Sequence, residues 1–152
     1  MIGATVLSIT TFFKLHDEGE SGMSANGHDA ELLLELSQKL LAAIDRGDWA
    51  TYAGLCDPSI TCFEPEAEGH LVSGLPFHKF YFDLPGSGSP RLSSIASPHI
   101  RVMGDGAVVT YVRLVQKLDA NGTPVSVASD ETRIWHKQDG SWKHVHFHRS
   151  PC

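Results

Sequence analysis

Leucines dominate the stretch after residue 29. Leu33, Leu36, Leu40 and Ile44 recur at helical spacing, and Leu32, Leu34 and Leu41 widen the same apolar face. The pattern predicts an amphipathic helix that Asp29 caps, with Glu31 adding favourable charge in its first turn and Gly47 as its stop. Asp48 then caps a short second helix through Trp49, Tyr52 and Leu55, which Asp57 and Pro58 end. Ile60, Cys62 and Glu64 alternate with Thr61 and Phe63 as a short strand. Residues 70–73 read as another strand, after a turn at Glu68 and Gly69. Pro76 opens a short aromatic helix over residues 77–82, and the Pro, Gly and Ser run of residues 85–90 is a flexible loop.

The last third is strand after strand: residues 92–103, 107–118, 125–136 and 142–149. The separators Gly104-Asp105-Gly106, Asn121-Gly122 and Asp139-Gly140 are hairpin signals. Helices first and a long antiparallel meander last indicate an α+β fold rather than a parallel βαβ arrangement. A long amphipathic helix on a curved antiparallel sheet can close into a cone with a pocket at its mouth.

Ahead of the leucine-rich helix, residues 16–28 are polar and rich in Gly, Ser, Asp and Glu, a linker composition. Residues 2–13 are apolar but broken by Thr5, Ser8, Thr10 and Thr11, which makes a poor targeting signal and a span too short for a membrane. Residues 1–28 are therefore expected to be disordered or loosely attached, and residues 29–152 to form one domain. Residues 1–22 should be removable without loss of folding, with Met23 as an alternative start. The net charge of 12 − 18 = −6 disfavours a nucleic-acid role. Cys56, Cys62 and Cys152 show neither a disulfide framework nor a zinc-ribbon spacing, which points to a reducing, cytoplasmic setting.

Six runs then stand in order along the chain: Cys56-Asp57-Pro58, Phe63-Glu64-Pro65-Glu66-Ala67, Phe77-His78-Lys79-Phe80-Tyr81-Phe82, Pro98-His99-Ile100, Glu131-Thr132-Arg133-Ile134-Trp135-His136 and Val145-His146-Phe147-His148-Arg149-Ser150. Together they resemble the association, or hub, domain of calcium/calmodulin-dependent protein kinase II, from about Leu32 to Ser150. The resemblance implies a cone-shaped nuclear transport factor 2-like (SnoaL-like) fold and a non-catalytic role in assembling dimers and rings. The chain departs from the family's kinases in lacking a glycine-rich nucleotide loop and a calmodulin-binding segment. The loop after Phe82 is also shorter than the animal form and lacks its tryptophan. A stand-alone hub homologue is the expectation, with neither kinase activity nor calmodulin binding.

Arg113, Arg133 and Arg149 lie on three successive predicted strands. Arg113 alternates with Ala107, Val109, Tyr111 and Val115, and Arg149 shares its face with Val145 and Phe147. An arginine on an apolar face is costly unless it is paired or bound to an anion. The resemblance implies that the three point into a pocket for small carboxylates, with Tyr52, His78 and Glu66, and arginine's planar fork suits that ligand. Two-residue hairpins at both Asn121-Gly122 and Asp139-Gly140 would turn Arg133 to the opposite face. One extra loop residue or one bulge at each hairpin would restore the set. The equal alternative is internal ion pairing with Glu64, Glu66, Asp130 or Glu131. Arg133→Ala is expected to abolish stabilisation by a carboxylate and to cost less in the unliganded state, because it relieves repulsion among three like charges while losing a fork of donors.

His144, His146 and His148 alternate and are expected on one strand face, as a half-exposed or subunit surface rather than a metal site. Phe77, Phe80, Tyr81 and Phe82 are expected to pack in the core, and Cys56 and Cys62 to be small buried side chains. The leading function is a homo-oligomeric association module with an arginine-lined pocket, without cofactor, metal, membrane or nucleic-acid partner. The face carrying His99, His136 and the alternating histidines, beside Trp135 and Trp142, is the surface expected to be buried on dimerisation. The alternative is a cone-fold enzyme of isomerase, dehydratase or cyclase type, using His78, Tyr52 or Glu66 as acid or base. A pocket carboxylate free of arginine contact would favour that alternative.

Overall fold

The computed structural model describes residues 25–152; the expected N-terminal tail up to residue 24, Met23 included, lies outside the described residues. Helix α1 spans Ala25–Arg46, so residues 25–28 are helical rather than part of a loose tail. Asp29 does not cap this helix. Its carboxylate accepts hydrogen bonds from Trp142 Nε1 at 3.2 Å and Lys137 Nζ at 3.1 Å, tying α1 to the last hairpin. The buried stripe is Leu33, Ser37, Leu40, Leu41 and Ala43, with Leu36 and Ile44 at its margin. Ser37 is tolerated at the centre because its hydroxyl donates to the Leu33 carbonyl at 2.8 Å.

Gly47, at φ +67°, turns the chain out of α1. Asp48 caps α2 (Trp49–Leu55) by accepting from the Thr51 amide at 3.0 Å. Strand β1 (Cys56–Phe63) follows at once and takes up Asp57 and Pro58, which were expected to end the helix. Pro58 falls where the β1 ladder is irregular, between Cys56 and Thr61, so its missing N–H costs no ladder bond. A short 3-10 turn, Pro65–Ala67, and the left-handed residues Glu68 and Gly69 occupy most of the next stretch. Strand β2 is left with Val72–Ser73 only, shorter than the expected 70–73. Helix α3 (Pro76–Asp83) matches the expected aromatic helix, but not its expected burial. Phe77 and Phe82 pack on the core while Phe80 and Tyr81 are 60% and 42% exposed.

Strands β3 (Arg91–Met103), β4 (Gly106–Leu118), β5 (Pro124–Gln138) and β6 (Ser141–Pro151) form the meander. The sheet order is β2-β1-β6-β5-β4-β3, curved around α1, and β1 runs parallel to β6 while the other neighbours are antiparallel. Trp135 and Trp142 are buried under the helices, so neither contributes to the wet dimer face expected for them.

Two irregularities decide which way the late side chains point. At the first hairpin Asp119 N–H donates to the Thr123 carbonyl at 2.9 Å, which leaves a three-residue loop rather than two. At the second, Asp139 and Gly140 make the expected two-residue turn with both φ positive, but β6 slips by one residue between the pairs Ile134–His146 and Trp135–His144. The extra loop residue and the bulge at Val145 bring Arg133 onto the concave face opposite Val109 and Phe147. The same bulge splits the three histidines. His144 turns inward and is fully buried, whereas His146 and His148 stay on the other face beside Phe63. The expectation of one shared histidine face fails because the alternation is broken between His144 and His146.

Candidate functional site

The concave face holds a cavity of about 210 Å³ between α2, α3 and the sheet. Every residue singled out for the pocket lines it: Arg113 from β4, Arg133 from β5, Arg149 from β6, Tyr52 from α2, His78 from α3 and Glu66 from the 3-10 turn. Direct cross-strand pairing explains the convergence, since Arg113 opposes Ser129 while Arg149 opposes Glu131, and residues 129, 131 and 133 alternate onto one face. Arg91, Phe147 and Glu64 also line the cavity. Arg91 begins β3, and its alternation with Ser93 and Ile95 carries the signal that marks it. Reading the strand from residue 92 hides that signal.

The arginines are also paired internally. Arg133 Nη2 donates to Glu131 Oε2 at 2.6 Å, its Nε donates to the Tyr111 hydroxyl at 2.6 Å, and that hydroxyl donates to the same carboxylate at 2.8 Å. Arg133 Nη1 faces His144 Nε2 at 3.3 Å, and the guanidinium lies 4.9 Å from the Phe147 ring centre. Arg113 holds Ser93 Oγ at 2.8 Å, Asp45 at 3.4 Å and Glu131 Oε1 at 3.5 Å. Arg149 bridges Glu64, at 3.2 Å, and Glu66. Of the proposed partners Glu64, Glu66, Asp130 and Glu131, only Asp130 takes no arginine among the described residues.

These pairs set the charge states. Burial alone would raise the Glu131 carboxyl, but Arg133 and Arg113 hold it below the usual carboxylate range. Burial would weaken the Arg133 cation, and Glu131 and Tyr111 more than restore it. Burial raises Glu64, with Arg149 opposing, whereas Arg149 overcomes burial at Glu66 and lowers it. His78 is pushed down to about 4 by burial and by the nearby Arg133 charge. His144 is held well below its ordinary value by burial and by Arg133. Both rings are therefore neutral near pH 7.

One group among the described residues could offer three donors to a metal: Cys62, Glu64 and His78, whose donor atoms lie within 4.8 Å of one another. Two features oppose a cation there. Burial pushes the Cys62 thiol up to about 12, and Arg149 already holds Glu64. No helix among the described residues is long and apolar enough to cross a membrane.

Residues 29–152 match the family described as the calcium/calmodulin dependent protein kinase II association domain. The delta subunit of calcium/calmodulin-dependent protein kinase type II from Oryctolagus cuniculus is 46% identical over 121 residues, which is 78% of this chain. The chain spans only 23% of that relative's length. The solved hub homology domain of this kinase from Chlamydomonas reinhardtii is 52% identical with a TM-score of 0.77, covering 82% of this chain and 98% of that one. A nuclear transport factor 2-like superfamily protein from Salmonella enterica serovar Typhimurium shares the fold, with a TM-score of 0.69 at 23% identity over 84% of this chain and 93% of that one.

Proposed function

Since the chain belongs to the calcium/calmodulin-dependent protein kinase II association domain family, we propose that it is a self-associating, non-catalytic module whose arginine-lined cavity takes a small carboxylate. The observation that carries the reading is the arrival of Arg113, Arg133 and Arg149, from three strands, at one open cavity. Clustered guanidinium forks in a partly buried recess suit a carboxylate better than any neutral ligand. The internal pairs also weigh against base catalysis. Both lining carboxylates, Glu64 and Glu66, are bonded to Arg149, so neither stands free to take a proton from a substrate.

Self-association has a surface to use. Phe63, Leu92, Met103 and Val127 are 39–58% exposed on the strands and their ends, apolar area that a second copy can cover. Light scattering at micromolar concentration is expected to give a multiple of the 16.6 kDa chain mass. A single species of that mass would end the association reading.

For the pocket, a carboxylate such as acetate should stabilise the fold by mass action, by about 2.7 kcal/mol at one hundred times its dissociation constant. Chloride serves as the control in a thermal-shift series. Arg149→Ala should abolish the gain, and Arg149→Lys should keep only part of it, because an ammonium lacks the bidentate fork. Arg149 is the better position to test because its partners lie nearer the surface than those of Arg133. Equal responses in wild type and Arg149→Ala would leave internal ion pairing as the whole role of the arginines.

A further inference from the structure

We propose that Glu66 is the cavity's built-in occupant: its carboxylate holds on Arg149 the place that a small monocarboxylate takes, and it swings out when that ligand binds. The inference rests on the carboxylate-pocket reading above and adds to it a ligand class and a gate.

The three arginines differ in how exchangeable their partners are. Arg133 is committed to Glu131, whose side chain is fully buried, and to Tyr111. Arg113 is committed to Ser93, to Asp45, whose side chain is 7% exposed, and to Glu131. No ligand can displace these without stranding a buried charge. Arg149 differs. Its Nη2 alone contacts Glu64 and Glu66, and among the described residues its Nε and Nη1 have no partner. The Glu66 side chain is 39% exposed, so solvent can take over its charge when it leaves. It projects from a three-residue 3-10 turn, Pro65–Ala67, whose hydrogen bonds are backbone ones. Rotation of the Glu66 side chain therefore opens Arg149 without unfolding the turn.

Charge counting limits the exchange. The ion pairs fall into two groups, one joining Arg91, Asp45, Arg113, Glu131 and Arg133, the other joining Arg149, Glu64 and Glu66. A monocarboxylate replaces Glu66 on Arg149 charge for charge, whereas a dicarboxylate adds a further negative charge beside Glu64. The cavity volume of about 210 Å³ keeps the ligand small.

The test is calorimetric titration of butyrate, succinate and a capped, single-aspartate amide into wild type, Glu66→Gln, Glu66→Ala, Glu68→Gln and Arg149→Ala. Butyrate should bind wild type more tightly than succinate. Both Glu66 variants should bind it about fivefold more tightly, since the binding-competent state no longer competes with an internal carboxylate. Glu68→Gln makes the same charge change two residues away, at a side chain with no arginine partner among the described residues, and should leave affinity unchanged. A capped aspartate that outcompetes butyrate identifies a protein-borne carboxylate as the ligand, and the reverse order a free acid. Either order fits a monocarboxylate. Unchanged or weaker binding in both Glu66 variants, or equal tightening in Glu68→Gln, overturns the gate. If Arg149→Ala still abolishes wild-type binding in that case, the pocket reading survives without it. Absence of binding by every titrant removes both.

Discussion

Arg133→Ala is expected to destabilise the unliganded protein by about 3–5 kcal/mol, the range for leaving one member of a buried ion pair without its partner. Sequence reasoning sets the cost without ligand below the cost with it, because removing one of three like charges relieves repulsion. The structure makes the unliganded cost large because Glu131 sits among them. Its side chain is fully buried, it takes Arg133 at 2.6 Å and Arg113 at 3.5 Å, and its Oε1 has no hydrogen bond of its own. Without Arg133 that carboxylate keeps only the longer Arg113 contact and the Tyr111 hydroxyl. Replacing both members together, Arg133→Met with Glu131→Leu, should recover most of the loss, since no uncompensated charge then remains at this pair. Urea unfolding at fixed protein concentration checks both, concentration being held because self-association shifts the midpoint. A loss below about 1 kcal/mol in the single variant would show that water reaches Glu131.

Acid should weaken the fold well before the carboxylates titrate. His78 and His144 are buried neutral, with folded-state values lowered to about 4 and well below the ordinary range, against about 6.5 unfolded. Below pH 6.5 the unfolded chain binds protons that the folded chain refuses. Stability is therefore fully present above that value and is lost as pH falls, at about 1.4 kcal/mol per pH unit for each such histidine. Near pH 5 His78 alone should have removed about 2 kcal/mol, and His144 adds to the loss in the same direction. Protonating His144 would place a cation against Arg133, 3.3 Å away, and protonating His78 would add another beside the same guanidinium. Glu64, raised by burial, acts in the opposite sense over part of the window. The measurement is the urea midpoint at pH 7.5, 6 and 5 for wild type and His78→Gln. The variant should show a shallower fall, and parallel curves would assign the acid loss elsewhere.

Local patterns carried the architecture. The order of helices and strands, the hairpin positions and the α+β class follow from leucine spacing, alternation and turn residues, which act over a few residues each. The pocket residues Glu66, His78, Arg133 and Arg149 were legible in ordered motifs, and Tyr52 and Arg113 through the resemblance those motifs carry; all six reach one cavity. The start of α1 was less legible. Asp29 has the chemistry of a cap, and only the distant Trp142 and Lys137 claim its carboxylate instead.

The sequence by itself determined which elements form and which charged residues the late strands carry. Tertiary structure decided how those charges are used. One extra loop residue after Asp119 and one bulged residue at Val145 set the parity of β5 and β6, and a one-residue slip sends every side chain to the other face. The same slip buried His144 and left His146 outside. Whether an arginine meets Glu131 or open cavity depends on ångström distances between strands separated by a dozen residues or more, and no short-range pattern encodes a distance through space.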